Sequence, residues 1–378
     1  MNLDELLGGK PLYYTVIDHE RVKKAFGMIR SSVLIPKVIQ VVGTNGKGST
    51  GRMMAHMMSL GGTNVGHYTS PHILKFNERY WLNGKDCDDS RLEIAHERLF
   101  ALLPLEVSLA LSYFEYTTLL SLFVFEECEY IVLETGMGGE FDATSVIPKI
   151  LSVITPIDID HQAFLGNDIE SIATTKLKSI DKLAVIAPQI HSEIENIAIK
   201  VTKDAKLIFV HKNEYRDEIN VIAKENLWGD FLVSNANTAC KALDVLNVNY
   251  DINSLKSWSM IGRYFAYNSN IRLDVGHNLL AAKAIYNILK EPVVLIYNTL
   301  EDKPYREILE LLKPKIKEVL IIDIETQRAL NRNELLSVLD ELEIKHKSFT
   351  GEIDTKKKYL VFGSFSVVEA FLKIMDAV

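Results

Sequence analysis

The chain reads as an α/β protein, with a doubly wound N-terminal domain and a smaller α/β domain after it. Three observations lead there. Apolar β-branched runs alternate with helix-period stretches; one such run, Val38-Ile39-Gln40-Val41-Val42, breaks into a glycine-rich turn ahead of a helix; and the alternation restarts near Ile271. A length of 378 residues exceeds what one core usually serves and suits about two domains.

Taken in order, the first strand runs into Gly43-Thr44-Asn45-Gly46-Lys47-Gly48-Ser49-Thr50. Ser49 to Leu60 then has helical spacing, with methionines on the inner face and Gly61-Gly62 as the stop. Asn64 to His67 reads as a short strand, and Ser90 to Leu103 and Ser108 to Glu127 as helices. Further strands are expected at Tyr130 to Leu133, Ile150 to Ile154, Leu183 to Ile186 and Lys206 to Val210. The second series places strands at Ile271 to Val275, Val293 to Tyr297, Glu318 to Ile324 and Tyr359 to Phe362. Its helices fall at Ala281 to Leu289, Tyr305 to Leu312, Arg332 to Leu342 and Ser366 to Met375. Tyr267-Asn268-Ser269-Asn270 interrupts the apolar periodicity, so the domains are expected to be 1–264 and 265–378. Lys356-Lys357-Lys358 reads as a solvated strand entrance.

Composition narrows the function classes. A net charge of −8 argues against a nucleic-acid binder, which would carry a basic stripe, and leaves room for a local pocket that takes small anions. Cys87, Cys128 and Cys240 lie far apart without zinc-type spacing, which suits a reducing cytoplasm. Met1-Asn2-Leu3-Asp4-Glu5 is acidic where a secretory signal is basic, and apolar runs such as Leu119 to Phe125 are too short to span a bilayer. A cytoplasmic protein with no membrane partner is expected.

The glycine-rich turn carries the most chemistry. Glycines let backbone N–H groups converge on phosphate oxygens, and the following helix adds the positive end of its dipole. Lys47 would reach the outer phosphates, and the hydroxyl of Ser49 or Thr50 would face a magnesium ion. Asn45-Gly46 is also a hairpin signal, but a hairpin accounts for neither the lysine nor the hydroxyl pair. Glu134, at the end of the strand Tyr130-Ile131-Val132-Leu133 and ahead of Thr135-Gly136-Met137-Gly138-Gly139, belongs at the same sheet edge. Thr69-Ser70-Pro71-His72 and Asp158-Ile159-Asp160-His161 also follow strands. So does Asp274-Val275-Gly276-His277-Asn278 in the later domain, while Gly262-Arg263 lies at the junction, where a hinge arginine can reach phosphates. Each of these segments also has an ordinary reading as a solvated strand end or loop.

Together these segments resemble the folylpolyglutamate synthase and dihydrofolate synthase family, a branch of the Mur-type ATP-dependent amide ligases, over nearly the whole chain. The likeness is carried by Gly43-Thr44-Asn45-Gly46-Lys47-Gly48-Ser49, Thr69-Ser70-Pro71-His72, Glu134 to Gly139 with Asp142-Ala143-Thr144, and Asp160-His161 with Leu165-Gly166. Gly48, which departs from the form G-x-x-x-x-G-K-[ST] by separating lysine from serine, matches this family. The resemblance implies a P-loop-containing first domain and a Rossmann-like second one. It implies Ser70, Glu134 and His161 as the magnesium-facing set, and Lys176 as a lysine carbamylated by carbon dioxide. Asn235, Arg263 and Asp274 would serve the nucleotide along with residues 43–50. His277 would join Lys47 and Lys176 in catalysis, and Phe114-Glu115 and Thr118 would form part of the pterin pocket, with Asp142 as its neighbour on the substrate side.

The chain departs from the family pattern at several places. Thr175-Lys176-Leu177-Lys178 stands where Glu-Lys-Ala-Gly is common, making Lys178 a rival for the carbamate; Phe231-Leu232 replaces a His-Gln pair, Glu140 an arginine and Leu279 a proline. The function implied is ATP-dependent ligation of L-glutamate to dihydropteroate, to reduced folates, or to both, through an acyl phosphate, with ATP and Mg2+ and as a monomer. A Mur-type ligase acting on a cell-wall precursor and a nucleotide-dependent switch are the alternatives, although the chain lacks the Asn-Lys-x-Asp guanine signature.

Overall fold

A computed structural model describes residues 1–11 and 18–376. The chain forms two compact units, Met1–Asn226 with Leu232–Lys256, and Leu227–Phe231 with Ser257–Val378.

The first unit is built on an eight-stranded sheet: β1 (Lys37–Val42), β2 (Val65–Tyr68), β3 (Tyr80–Leu82), β4 (Lys85–Asp86), β5 (Tyr130–Glu134), β6 (Leu151–Ile154), β7 (Leu183–Ile186) and β8 (Lys206–Phe209). Their order across the sheet is β4-β3-β2-β5-β1-β6-β7-β8. All pairings are parallel except those of the β2-β3-β4 edge. Near-continuous burial of β1, β2, β5 and β6 explains their apolar runs, since helices cover both faces of such a sheet. From β1 the chain moves to one side of the sheet, returns through β5, and crosses to β6 on the other side. That reversal makes β1 the switch point, where α/β sheets bind ligands at the strands' carboxyl ends.

The helix Lys47–Leu60 follows β1 and buries Met53, Met54, Met57 and Met58 completely. The stretch expected as one helix from Ser108 to Glu127 is two, Leu105–Ala110 and Tyr113–Val124. Ser112 breaks it. Its hydroxyl accepts from Glu115 N while the Glu115 carboxylate accepts from Ser112 N, a reciprocal cap that starts a new helix at Tyr113.

The second unit holds a six-stranded sheet of β9 (Phe265–Ala266), β10 (Ile271–Asp274), β11 (Val293–Tyr297), β12 (Ile316–Ile321), β13 (His346–Ser348) and β14 (Tyr359–Phe362), ordered β13-β12-β11-β14-β10-β9. It is parallel apart from β9. Its own core gathers Leu295, Tyr297, Leu309, Leu339 and Phe362. At the entrance to β14, Lys357 pairs with Glu318 of β12 at 2.9 Å and Lys358 pairs with Glu291, just ahead of β11, so two lysines of the basic run are tied to acids elsewhere on the sheet. Among the described residues, no helix is long and apolar enough to cross a membrane.

Candidate active site

The parallel register brings the ends of β1, β2, β5 and β6 to one edge of the first sheet. Gly43 takes φ +155° and Gly46 φ +88°, and Gly46 caps the helix Lys47–Leu60 without a side-chain partner, so the helix N–H groups there remain open to an anion. Close packing enforces both glycines. A Cβ on Gly43 would lie 2.0 Å from Thr155 Oγ1, and one on Gly46 would lie 2.7 Å from Asn235 Oδ1. Lys47 folds back over its loop, with Nζ 3.3 Å from the carbonyl oxygens of Gly43 and Thr44. Ser49 Oγ, Thr50 Oγ1 and Asn235 Nδ2 are buried without a hydrogen-bond partner among the described residues. Buried polar atoms of this kind are ordinarily satisfied, so three of them around a glycine cradle suit a nucleotide's phosphates and its metal ion.

The loop after β6 clasps the cradle. Thr44 N donates to Pro156 O at 2.9 Å, and the Thr44 hydroxyl exchanges 3.0 Å bonds with the backbone of Asp158. His191 Nε2 lies 2.9 Å from Asp158 Oδ1, and Gln189 ties Ile157 N to the end of β7. Thr155, Gln189 and His191 support the site, yet no local motif marks them; the pairing of β6 with β7 puts them there.

Glu134 is buried at the end of β5. Its Oε2 accepts from the Thr69 hydroxyl and, at 3.4 Å, from Ser70 N, while Oε1 is left without a protein donor among the described residues. Thr69-Ser70 and Glu134 therefore meet as expected from their strand ends. His161 sits in the left-handed region at φ +54° and caps the helix Gln162–Leu165, with its side chain partly exposed. Among the described residues, no group of three or more His, Cys, Asp or Glu side chains gathers as a metal cage. Magnesium suits such a site, because it keeps waters and phosphate oxygens and needs only one or two protein carboxylates.

Lys176 lies on the helix Ile169–Leu177 and is buried, its Nζ donating to Gly43 O at 3.1 Å. Burial, with Lys47 nearby, pulls its amine down to about 7, against the opposing pull of Asp160 and Asp142. Lys178 is half-exposed and paired with Glu140 at 3.1 Å. The two lysines differ in setting: Lys176 is buried against the phosphate loop with a lowered amine, and Lys178 is held at the surface by Glu140.

The glycine turn after Glu134 packs closely on both sides. A Cβ on Gly136 would lie 2.7 Å from the Phe114 ring, and one on Gly139 would lie 2.7 Å from Lys176 Cα. Asp142 holds this turn, with Oδ2 accepting from Gly136 N at 2.9 Å and Met137 N at 3.0 Å, and Oδ1 from the backbone and hydroxyl of Thr144. Burial nonetheless raises its carboxyl above the usual range. Asp142 also lines a cleft of about 310 Å³ with Val22, Phe26, Phe141 and Ser145. Thr118 is fully buried, near the Tyr68 hydroxyl, whereas Glu115 is engaged by its helix cap and by Arg21 at 2.7 Å.

In the second unit, Asp274 accepts from Tyr264 N at 2.9 Å and Gly276 N at 2.8 Å, and burial lifts its carboxyl to about 6. Arg263 lies over the Phe365 ring, with its guanidinium carbon 5.3 Å from the centroid, and His277 Nδ1 lies 3.0 Å from Val275 O. All three surround the end of β10.

No family model matches the chain. Among curated proteins, it is 30% identical to the dihydrofolate synthase/folylpolyglutamate synthase of Haemophilus influenzae, over 90% of each chain. Among solved structures, Helicobacter pylori folylpolyglutamate synthetase aligns at 38% identity with a TM-score of 0.80, covering 100% of this chain and 98% of that one. E. coli FolC in complex with DHPP and ADP aligns at 25% identity with a TM-score of 0.84 and the same coverage. The two-sheet α/β architecture expected of a Mur-type ligase is thus the one formed, and the chain belongs to the dihydrofolate synthase/folylpolyglutamate synthase family.

Proposed function

We propose that this protein is an ATP-dependent ligase that joins L-glutamate to dihydropteroate, to reduced folates, or to both. The observation that carries this reading is the phosphate cradle with its unpartnered Ser49, Thr50 and Asn235 atoms, set beside Glu134 and the buried Lys176 amine. A carboxylate is a poor electrophile. Transfer of the γ-phosphoryl group to it forms an oxygen–phosphorus bond, breaks the bridging bond to ADP, and leaves an acyl phosphate. The glutamate amine then attacks the acyl carbon, inorganic phosphate leaves, and the amine proton is lost.

In this reading the open helix N-terminus and Lys47 hold the phosphates, and Glu134, Ser70 and His161, with Ser49 or Thr50, hold Mg2+. Bound there, Mg2+ offsets charge on the transferring group. The Lys176 amine, once deprotonated, attacks carbon dioxide; a nitrogen–carbon bond forms, one N–H proton is released, and the carbamate left carries a negative charge where the ammonium was positive. Phe114, Thr118 and Asp142 bind the acid's pterin end. Arg263, Asp274 and Asn235 serve the nucleotide, and His277 assists the transfer. The enzyme works as a cytoplasmic monomer on small-molecule substrates.

Purified protein incubated with ATP, Mg2+, L-glutamate and either dihydropteroate or tetrahydrofolate is expected to yield glutamylated product by mass spectrometry. Lys47→Ala should lower turnover by about 100-fold or more. Absence of glutamylated product with both acids would overturn the reading.

A further inference from the structure

Gln40 is an unusual residue for its position. It lies in the middle of β1, the central strand, fully buried among Val38, Ile39, Val41 and Val42. A buried amide there costs stability unless it is satisfied, and its Oε1 accepts no hydrogen bond from the described residues.

Its Nε2 donates to Thr144 Oγ1 at 2.9 Å and to Ser145 Oγ at 2.9 Å. Those hydroxyls have already placed their single protons. Thr144 donates to Asp142 Oδ1 at 2.7 Å, and Ser145 donates to Gly139 O at 2.5 Å. Both can therefore only accept from Gln40, and the two hydrogens of one amide nitrogen meet that need. Glutamate at this position has no donor, asparagine is one methylene shorter, and leucine has no polar atom. The network continues outward. Asp142 fixes Gly136 N and Met137 N, and Glu140 N donates to Thr175 O at 2.9 Å, next to Lys176. Two residues beyond Gln40, β1 ends at the phosphate loop.

We propose that Gln40 is a positioning residue for the acid substrate, locking the 136–145 loop to the strand that carries the phosphate loop, so that the acid's carboxylate is held in register with the phosphoryl donor. This rests on reading Phe114, Thr118 and Asp142 as the acid's subsite. Side chains one step removed from a substrate act by fixing geometry, and a displacement of about 1 Å can cost up to about 100-fold.

The test is steady-state ligation by the full-length protein, varying the acid and MgATP separately. Gln40→Glu and Gln40→Leu are expected to raise KM for the acid by about tenfold or more, with KM for MgATP within about twofold of wild type. Thr144→Val should reproduce that split and Thr144→Ser should restore it, and this pair carries the test if the Gln40 variants do not fold. Equal rises in both constants, or an unchanged acid KM in every variant, would overturn the proposal. If Asp142→Ala raises the acid KM while the Gln40 and Thr144 variants do not, the positioning role fails and the subsite stands; if wild type makes no glutamylated product, both fall.

Discussion

Lys176 and Lys178 show how little a residue's identity says before its surroundings are known. Both sit in Thr175-Lys176-Leu177-Lys178, yet burial and the nearby Lys47 bring the Lys176 amine to about 7, while Lys178 keeps an acidic partner at the surface. Carbon dioxide reacts with a neutral amine. Because the Lys176 amine is mostly ammonium below pH 7 and mostly neutral above it, carbamate formation should rise as pH climbs through about 7. Protein stripped of carbon dioxide is therefore expected to lose ligase activity and to regain it with bicarbonate, faster above neutrality than below, whereas Lys176→Met should stay inactive under both conditions. An activity indifferent to carbon dioxide on either side of neutrality would remove the carbamate from the mechanism. The left-handed Gly46 is legible as a turn former, but the Asn235 side chain that bars any larger residue comes from a helix 189 positions along the chain, and no local pattern marks it.

At the level of elements, one dipeptide has two outcomes. Asn45-Gly46 opens a helix, whereas Asn83-Gly84, with φ +46° and +108°, turns β3 into β4. The difference lies in the next segment of chain: a 14-residue helix in the first case and a second extended segment that can pair back in the second. The break at Ser112 has a similar cause, since the stretch from Ser108 to Glu127 looks continuous by periodicity while a polar cap divides it. Ser112→Ala is expected to cost about 1 kcal/mol of first-unit stability in chemical denaturation. No measurable loss would mean that the Glu115–Arg21 pair alone fixes the helix start. The helix Asp230–Val245 is hidden from sequence patterning for a different reason. It buries Asn235, Asn237 and Thr238 beside its apolar residues, which blurs the contrast between faces on which periodicity depends.

For the whole molecule, each unit has a hydrophobic core of its own: Leu119, Phe125, Ile131 and Leu133 in the first, and Leu295, Tyr297 and Phe362 in the second. Calorimetry is expected to resolve two unfolding transitions, with a non-hydrolysable ATP analogue and Mg2+ raising the one that belongs to the first unit. One cooperative transition, or no shift with the analogue, would contradict this. The sequence by itself determined the α/β class, the positions of the apolar strands and the phosphate loop, because those depend on short-range periodicity and on glycine's conformational freedom. It also placed Ser70 and Glu134 at strand ends. Only the tertiary structure decided which lysine is buried, that Asp142 is held by the turn it braces, and that Gln40 is the amide linking that turn to β1. The Asp142 bonds are local but form only in the folded turn, whereas the burial of Lys176 and the reach of Gln40 depend on desolvation and hydrogen bonds between segments about 100 residues or more apart, which exist only once the sheet has brought them together.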